Sequence, residues 1–428
     1  MNYLSLQKEF VRIDQVAFGE KSYVDGHTMY LNRDELAEMA MCEYFTRVNI
    51  DMVVPGESAR INNCSDIIQP TLRLDDEEST FPGALGALRR VGSGRTLALL
   101  GVAVAEACEV RTQLSCNLDM SGEIAQFSPY TQMIQVVVNP KKDDGATDSQ
   151  YMDGLKTAAL TIAVFLAKLA RDCERESTET YTMERDPEKL KGLPRVAYLY
   201  GVFSHAPHTD FLFYGDNGNT MLPTIIQPTE ILDGAMVDRE YYQMTNGEPT
   251  YTNQNHPVLL ELMKRHGVDL NFVGVVMSNA PHKVVDKERN TMMAATLAKY
   301  TLDAECILIT KQGGGHPQLD MAMAAETCQA LDIKAVLLLF ENLTPGDGTD
   351  RADEAVLFSS PAADAMVSIG IRTLCTCPPV KHSVGEYYIE DASALQKCMP
   401  DQTCICKHRN TRGSCSQYGL GDWTSVKY

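Results

Sequence analysis

Thirteen cysteines stand in this chain of 428 residues. Six fall near the C-terminal end: Cys375, Cys377, Cys398, Cys404, Cys406 and Cys415. Cys375-Thr376-Cys377 and Cys404-Ile405-Cys406 are Cys-x-Cys pairs, and on an extended strand residues i and i+2 face the same way. Each pair could therefore chelate one ion, and thiolate-rich sets suit zinc or an iron–sulfur cluster. His382 and His408 lie close by in sequence. The spacing is not that of a Cys-x-x-Cys knuckle. Redox-active thiols and reduced, buried cysteines therefore stand beside the metal reading.

A second group is histidine- and glycine-based. Gly313, Gly314, Gly315 and His316 follow the apolar run CILIT. The glycines let backbone N–H groups approach a ligand, and a histidine exchanges its proton near neutral pH. The plainer alternative is a tight strand-to-helix turn with a surface histidine. His205 and His208, in SHAPHTD, follow another apolar run and would share that sheet edge; each taken singly also reads as a surface residue. Residues 91–96 (VGSGRT) are either an anion-binding turn or a turn alone. They lack the Lys-Ser/Thr of a P-loop and the spacing of a dinucleotide fingerprint.

Positioning these groups falls to the rest of the chain, whose length allows two or three domains and a large core. A net charge of −19 argues against binding nucleic-acid phosphate or an anionic membrane surface. There is no apolar run long enough to span a bilayer, and the first residues lack the basic flank and apolar core of a secretory signal. A cytoplasmic location is expected, where cysteines serve as ligands, redox groups or buried thiols rather than structural disulfides.

Residues 1–140 read as a β-rich N-terminal domain. Asp25-Gly26 marks a hairpin, and Asn32 with Glu35 three positions on opens a helix. Residues 48–54, 97–107 and 133–138 read as strands. Residues 141–192 hold a polar linker (141–150), one scaffold helix (151–174) and a charged, solvated stretch (175–191). In the helix Leu155, Ala159, Ile162, Leu166 and Leu169 recur at three- and four-residue steps. Over residues 193–372, apolar runs at 195–202, 272–277, 306–310, 335–340 and 366–371 alternate with helical stretches. That is the pattern of an open, mostly parallel α/β sheet, whose ligands bind beyond the carboxyl ends of the strands. Residues 373–428 form the cysteine-rich C-terminal segment. The fold class expected is α/β, with a β-rich (α+β) domain in front. Residues 231–251 (ILDGAMVDREYYQMTNGEPTY) read as loop or short strand edge.

Several short motifs occur in a characteristic order: Ala17-Phe18-Gly19-Glu20-Lys21, Pro55-Gly56-Glu57-Ser58, Phe81-Pro82-Gly83, the turn at 91–96 and Asp119-Met120-Ser121-Gly122. They continue with Pro228-Thr229-Glu230, Asp233-Gly234-Ala235, Lys264-Arg265-His266-Gly267 and Asp286-Lys287-Glu288-Arg289. Their order over nearly the whole chain resembles the component B proprotein family of glycine, sarcosine and betaine reductases, related to the D-proline reductase proprotein. The resemblance implies a subunit of an oligomeric oxidoreductase complex acting on a small amine or amino-acid-derived substrate. In that family the proprotein cuts itself at an Asn-Cys bond shortly after the Asp-Gly-Ala segment. The cysteine becomes a pyruvoyl group that forms an imine with the substrate amine. A selenol- or thiol-bearing partner subunit then attacks carbon.

This sequence departs from that pattern. The register puts Glu240-Tyr241 where Asn-Cys is expected, and residues 231–251 contain neither Cys nor Ser. Only β-elimination of a Ser or Cys heteroatom leaves a pyruvoyl. The sole Asn-Cys dipeptide, Asn63-Cys64, lies out of register. The expectation is an uncut chain without pyruvoyl, with its substrate near Gly313–His316. Zinc or an iron–sulfur cluster on the C-terminal cysteines would be a replacement source of reactivity. A non-catalytic scaffold for the partner subunit is the alternative.

Overall fold

A computed structural model describes residues 3–340 apart from 77, 111–115, 203–209, 243 and 245–246. It also describes residues 360–370, 374–386, 399–407, 411–414, 416–420 and 424–427. The fold is mixed α/β. In the first half, one four-stranded sheet runs Ser177–Thr182, Ser5–Arg12, Gly94–Leu100, Thr71–Arg73. A second runs Phe45–Val53, Ile134–Lys142, Val102–Ala107, Cys64–Ile68. The run 97–107, read above as one strand, is two strands in different sheets. Gly101 divides them at φ +82°, and a Cβ there would fall 2.2 Å from the Ile13 carbonyl oxygen.

The Asp148–Leu169 helix packs its apolar stripe against both sheets, burying Leu155, Ala159, Ile162 and Leu166 with Leu97, Leu99, Val104 and Val136. Each large aliphatic side chain so buried contributes roughly 1.5–3 kcal/mol. The helix begins earlier than its periodicity suggests. Thr147 Oγ1 accepts from the Gln150 N–H at 3.3 Å, and the Gln150 side chain accepts from the Thr147 N–H at 2.9 Å. This capping box starts the helix inside the expected linker. Residues 175–191 are not simply solvated chain, because Ser177–Thr182 pairs antiparallel with Ser5–Arg12 as an edge strand. The hairpin at Asp25-Gly26 forms, and Asn32 Oδ1 caps the Arg33–Met39 helix by accepting from the Glu35 N–H at 3.0 Å.

The second half is built on a seven-stranded sheet. Its order is Thr224–Ile226, Asn271–Asn279, Arg195–Val202, Cys306–Thr310, Lys334–Phe340, Ala365–Gly370, Thr424–Lys427. The inner strands are parallel and both outer strands pair antiparallel. The first parallel strand in the sequence, Arg195–Val202, lies between the second and the third. Consecutive connections therefore leave it in opposite directions, which opens a crevice at the carboxyl ends of these strands.

The halves are joined by buried polar contacts. The Gln254 side chain accepts from the Gln69 N–H at 2.9 Å and donates to the Gln69 carbonyl at 3.1 Å. Lys8 Nζ donates to the Gln254 carbonyl at 2.7 Å. The glycine turn at 91–96 does bind an anion, and that anion is the chain's own Asp233. Its carboxylate accepts from the Gly92 N–H at 2.8 Å and from Thr96 Oγ1 at 2.7 Å, with Arg73 Nη1 at 3.3 Å. Among the described residues no helix is long and apolar enough to cross a membrane.

Candidate functional site

Tyr241 is 1% exposed and sits in the middle of buried charge. Its Oη donates to Glu106 Oε2 at 3.1 Å, and Ser65 Oγ donates to the same oxygen at 2.8 Å. Lys156 Nζ lies 2.8 Å from Glu106 Oε1, 2.5 Å from Asp66 Oδ2 and 5.5 Å from the Tyr241 ring centroid. Asp66 also accepts from the Thr250 N–H at 2.8 Å and from Thr250 Oγ1 at 2.6 Å. Asp238 pairs with Arg412 Nη2 at 2.7 Å. Arg412 additionally donates to the carbonyls of Ser65, at 2.7 Å, and Met244.

Five elements supply the charged groups and Tyr241, and Thr250 comes from a sixth, the Thr250–Gln254 helix. Asp66 comes from Cys64–Ile68, Glu106 from Val102–Ala107 and Lys156 from the long helix. Asp238 and Tyr241 come from the loop after Met236–Val237, and Arg412 from the C-terminal segment. Three acids thus face two cations. Burial raises the Glu106 carboxyl against the pull of Lys156. It pushes Asp238 up to about 7 even beside Arg412, and Glu248 up to about 7 against the Gln417 N–H. Burial alone would lower Lys156, but Asp66 and Glu106 outweigh it and hold it charged. The cluster can therefore hold an exchangeable proton near neutral pH. Tyr241 cannot serve as its nucleophile, since burial and then Glu106 hold the phenol well above its ordinary value.

The two residues at the expected cut are accordingly core residues, with Glu240 3% exposed beside Tyr241. Neither fits a pyruvoyl precursor, because a phenol on Cβ is attached through carbon and offers no heteroatom to eliminate. Asn63, in the out-of-register Asn-Cys pair, is held at φ +49° with its Nδ2 donating to the Cys108 and Val110 carbonyls at 2.6 and 3.0 Å. Burial pushes the Cys64 thiol far up.

The glycine loop lies where the sheet opens. Gly313 and Gly315 adopt φ +81° and +79°, which explains glycine at those two positions. His316 starts the His316–Ala330 helix, and its Nδ1 lies 2.8 Å from Lys287 Nζ. Lys287 also pairs with Asp320 at 2.5 Å, and the His282 ring stands 5.0 Å from that of His316. Burial, then Lys287 and His282, lower His316 to about 4, so it is neutral at physiological pH. Burial raises Asp320 to about 6. Next to this group is a small pocket of about 30 Å³ lined by Asn279, Asn290, Thr310, Lys311 and Gln312 at its polar side. Sequence reasoning pointed to this loop but did not single out Lys287 or Asp320, which come from the two flanking helices. His205 and His208 lie outside the described residues.

The cysteine pairs face each other rather than act separately. Leu374–Cys377 pairs antiparallel with Cys404–Lys407, setting Cys375 opposite Cys406 and Cys377 opposite Cys404. Cys377 is disulfide-bonded, where the sequence reading set metal ligands, redox-active thiols and buried cysteines side by side. Cys377 is thus not a thiolate ligand here, while Cys375 is a buried free thiol pushed up to about 11 by burial and Glu123. Among the described residues no group of three His, Cys, Asp or Glu side chains could hold a metal ion. Cys398 and Cys415 fall outside the described residues, as do the side chains of Cys404 and Cys406.

Comparison with known proteins bears on the whole chain. A family model for glycine/sarcosine/betaine reductase component B subunits matches residues 4–425. The sarcosine reductase complex component B subunit alpha of Peptoclostridium acidaminophilum is 32% identical over 371 residues, 86% of this chain and 85% of that protein. The glycine reductase complex component B subunits alpha and beta of the same organism are 29% identical over 387 residues, 89% of each chain. Its betaine reductase complex component B subunit alpha is 29% identical over 386 residues, 87% of this chain and 86% of that protein. No solved structure matches. With the match extending across both halves, the chain belongs to the family of glycine/sarcosine/betaine reductase component B subunits.

Proposed function

We propose that this chain works uncut, without a pyruvoyl group, as a subunit of a reductase complex that cleaves the C–N bond of a small amino-acid-derived amine. The observation that carries this reading is Tyr241, buried against Glu106 and Lys156 at the place where a self-cutting thiol is expected. The relatives' names agree with it. The glycine reductase protein bears the name of two subunits, alpha and beta, whereas the sarcosine and betaine reductase proteins each bear the name of one.

Without a carbonyl to form an imine, the nitrogen must already be a good leaving group. A quaternary nitrogen meets that condition, and an N-methylated one does so in its protonated, ammonium form. The thiolate or selenolate of a partner subunit forms the bond to carbon as the C–N bond breaks, and the nitrogen departs with the electron pair as a neutral amine. The substrate would sit at the carboxyl ends of the parallel strands near Gly313, Gly314, Gly315 and His316, as fold logic favours. Lys287 and Asp320 would set the charge there. A metal on the C-terminal cysteines is not needed for this reaction.

Intact mass spectrometry tests the reading. One species at the full 47.3 kDa, with no phenylhydrazine adduct, is the expected result. Two fragments dividing near residue 240, one of them trapping phenylhydrazine, would refute it.

A further inference from the structure

One sheet of the first half ends on Ser177–Thr182, and among the described residues no strand pairs with the outer side of that strand. Its sequence, STETYT, sets threonines and a tyrosine, which favour extended chain, around one acid, and residues 177–180 are exposed. Sheet edges in water are ordinarily blunted by lysine, proline or a bulge, because their unpaired N–H and carbonyl groups invite another strand. This edge carries neither lysine nor proline, and its register with Ser5–Arg12 is unbroken. Beside it runs a groove of about 420 Å³, between the strand and the Pro257–Arg265 helix. Tyr181, Leu260 and Met263 line the groove, and Arg185 and Lys264 bring positive charge to it. Arg185 donates to the carbonyls of His266 at 3.1 Å and Glu184 at 2.7 Å. Neither cation pairs with a carboxylate among the described residues. The groove's own acid, Glu179, accepts instead from Tyr181 Oη.

We infer that the outer edge of Ser177–Thr182 is a contact between two copies of this chain, paired antiparallel about a two-fold axis through Thr180, with Glu179 of each copy facing Arg185 and Lys264 of the other. The register follows from two constraints. Directly opposed side chains in an antiparallel pair share a face, so a two-fold axis normal to the sheet passes through a residue and not between two. An axis through Glu179 would set two carboxylates opposite each other, which is destabilising. An axis through Thr180 sets Thr178 against Thr182 and Glu179 against Tyr181. Because Tyr181 lines the groove, the second copy's Glu179 then lies on the groove side, where the two unpaired cations are. The symmetry makes this contact twice, and the sheet runs on through both copies.

Sedimentation velocity of the full chain at micromolar concentration tests this. A species of twice the 47.3 kDa chain mass is expected. Glu179→Lys and Lys264→Glu are each expected to weaken self-association about tenfold or more, because each brings like charges together at both symmetry-related contacts. The double variant, Glu179→Lys with Lys264→Glu, restores opposite charges and is expected to recover the dimer. Thr180→Lys sets two lysines opposite each other at the axis and is expected to leave a monomer. Positions 179, 180 and 264 are exposed, so the circular dichroism spectrum of each variant should match that of the wild type. A monomeric wild-type chain, a dimer that the single variants leave intact, or a double variant no stronger than the singles would overturn the inference.

Discussion

Tyr241 Oη donates to Glu106 Oε2 at 3.1 Å, joining the loop at the expected cut to a strand of the first half. The bond is buried and its acceptor is an acid held by Lys156 and Ser65. Tyr241→Phe removes the donor and keeps the ring. It is expected to destabilise the fold by about 1–3 kcal/mol, the cost of a lost buried hydrogen bond to a charged group. The urea midpoint measures it; an unchanged midpoint would mean that the tyrosine is packing only.

Lys156 is the cation that two buried acids share. Lys156→Met preserves the stem and leaves Asp66 and Glu106 facing each other. Removing one member of a buried ion pair costs about 3–5 kcal/mol, so this variant is expected to unfold at markedly lower urea or to accumulate poorly. Adding Glu106→Gln to it should recover part of the loss, because the second change removes one stranded charge.

Glu248 gives the protein a pH dependence of known sign. Burial pushes its folded-state pKa up to about 7, against an unfolded value near 4.3. The folded chain therefore binds this proton more tightly, and the stability the group contributes is complete below about pH 4 and is lost as pH rises to about 7. Glu248→Gln keeps an acceptor for the Gln417 N–H and abolishes the titration. Relative to the wild type, the variant should gain about 2–3 kcal/mol between pH 4 and pH 7. Paired denaturation curves at several pH values check it, and a constant difference would show that folding leaves the Glu248 pKa unshifted.

The cysteine ladder makes a chemical prediction. Non-reducing peptide mapping should find Cys377 in a disulfide, while Cys375, with its thiol pushed up to about 11, should alkylate slowly at neutral pH unless the chain is unfolded. Rapid labelling of Cys375 in the folded protein would contradict its burial.

What the sequence disclosed was mostly local. The Asp25-Gly26 hairpin, the Asn32 cap and the run of buried parallel strands follow from neighbouring residues, so pattern reading reaches them. Ser177–Thr182 escaped because a polar edge strand has no apolar alternation to announce it. The 91–96 turn left two readings open, an anion-binding turn or a turn alone, and nothing nearby names Asp233 as the carboxylate it holds. The buried cluster was less visible still, since Asp66, Glu106, Lys156, Asp238 and Arg412 are drawn from separate elements. One signal did exist: Lys156 falls on the buried side of an amphipathic helix, between Met152 and Ala159, where a cation requires a partner.

Arg412 reaches Asp238 and the Ser65 carbonyl from almost the far end of the polypeptide. During synthesis Asp238 is made about 170 residues before the guanidinium that neutralises it, 412 − 238 = 174. Without that guanidinium Asp238 must stay hydrated or protonated. Docking of the segment that carries Arg412 is therefore the step that closes the buried charge around Asp238.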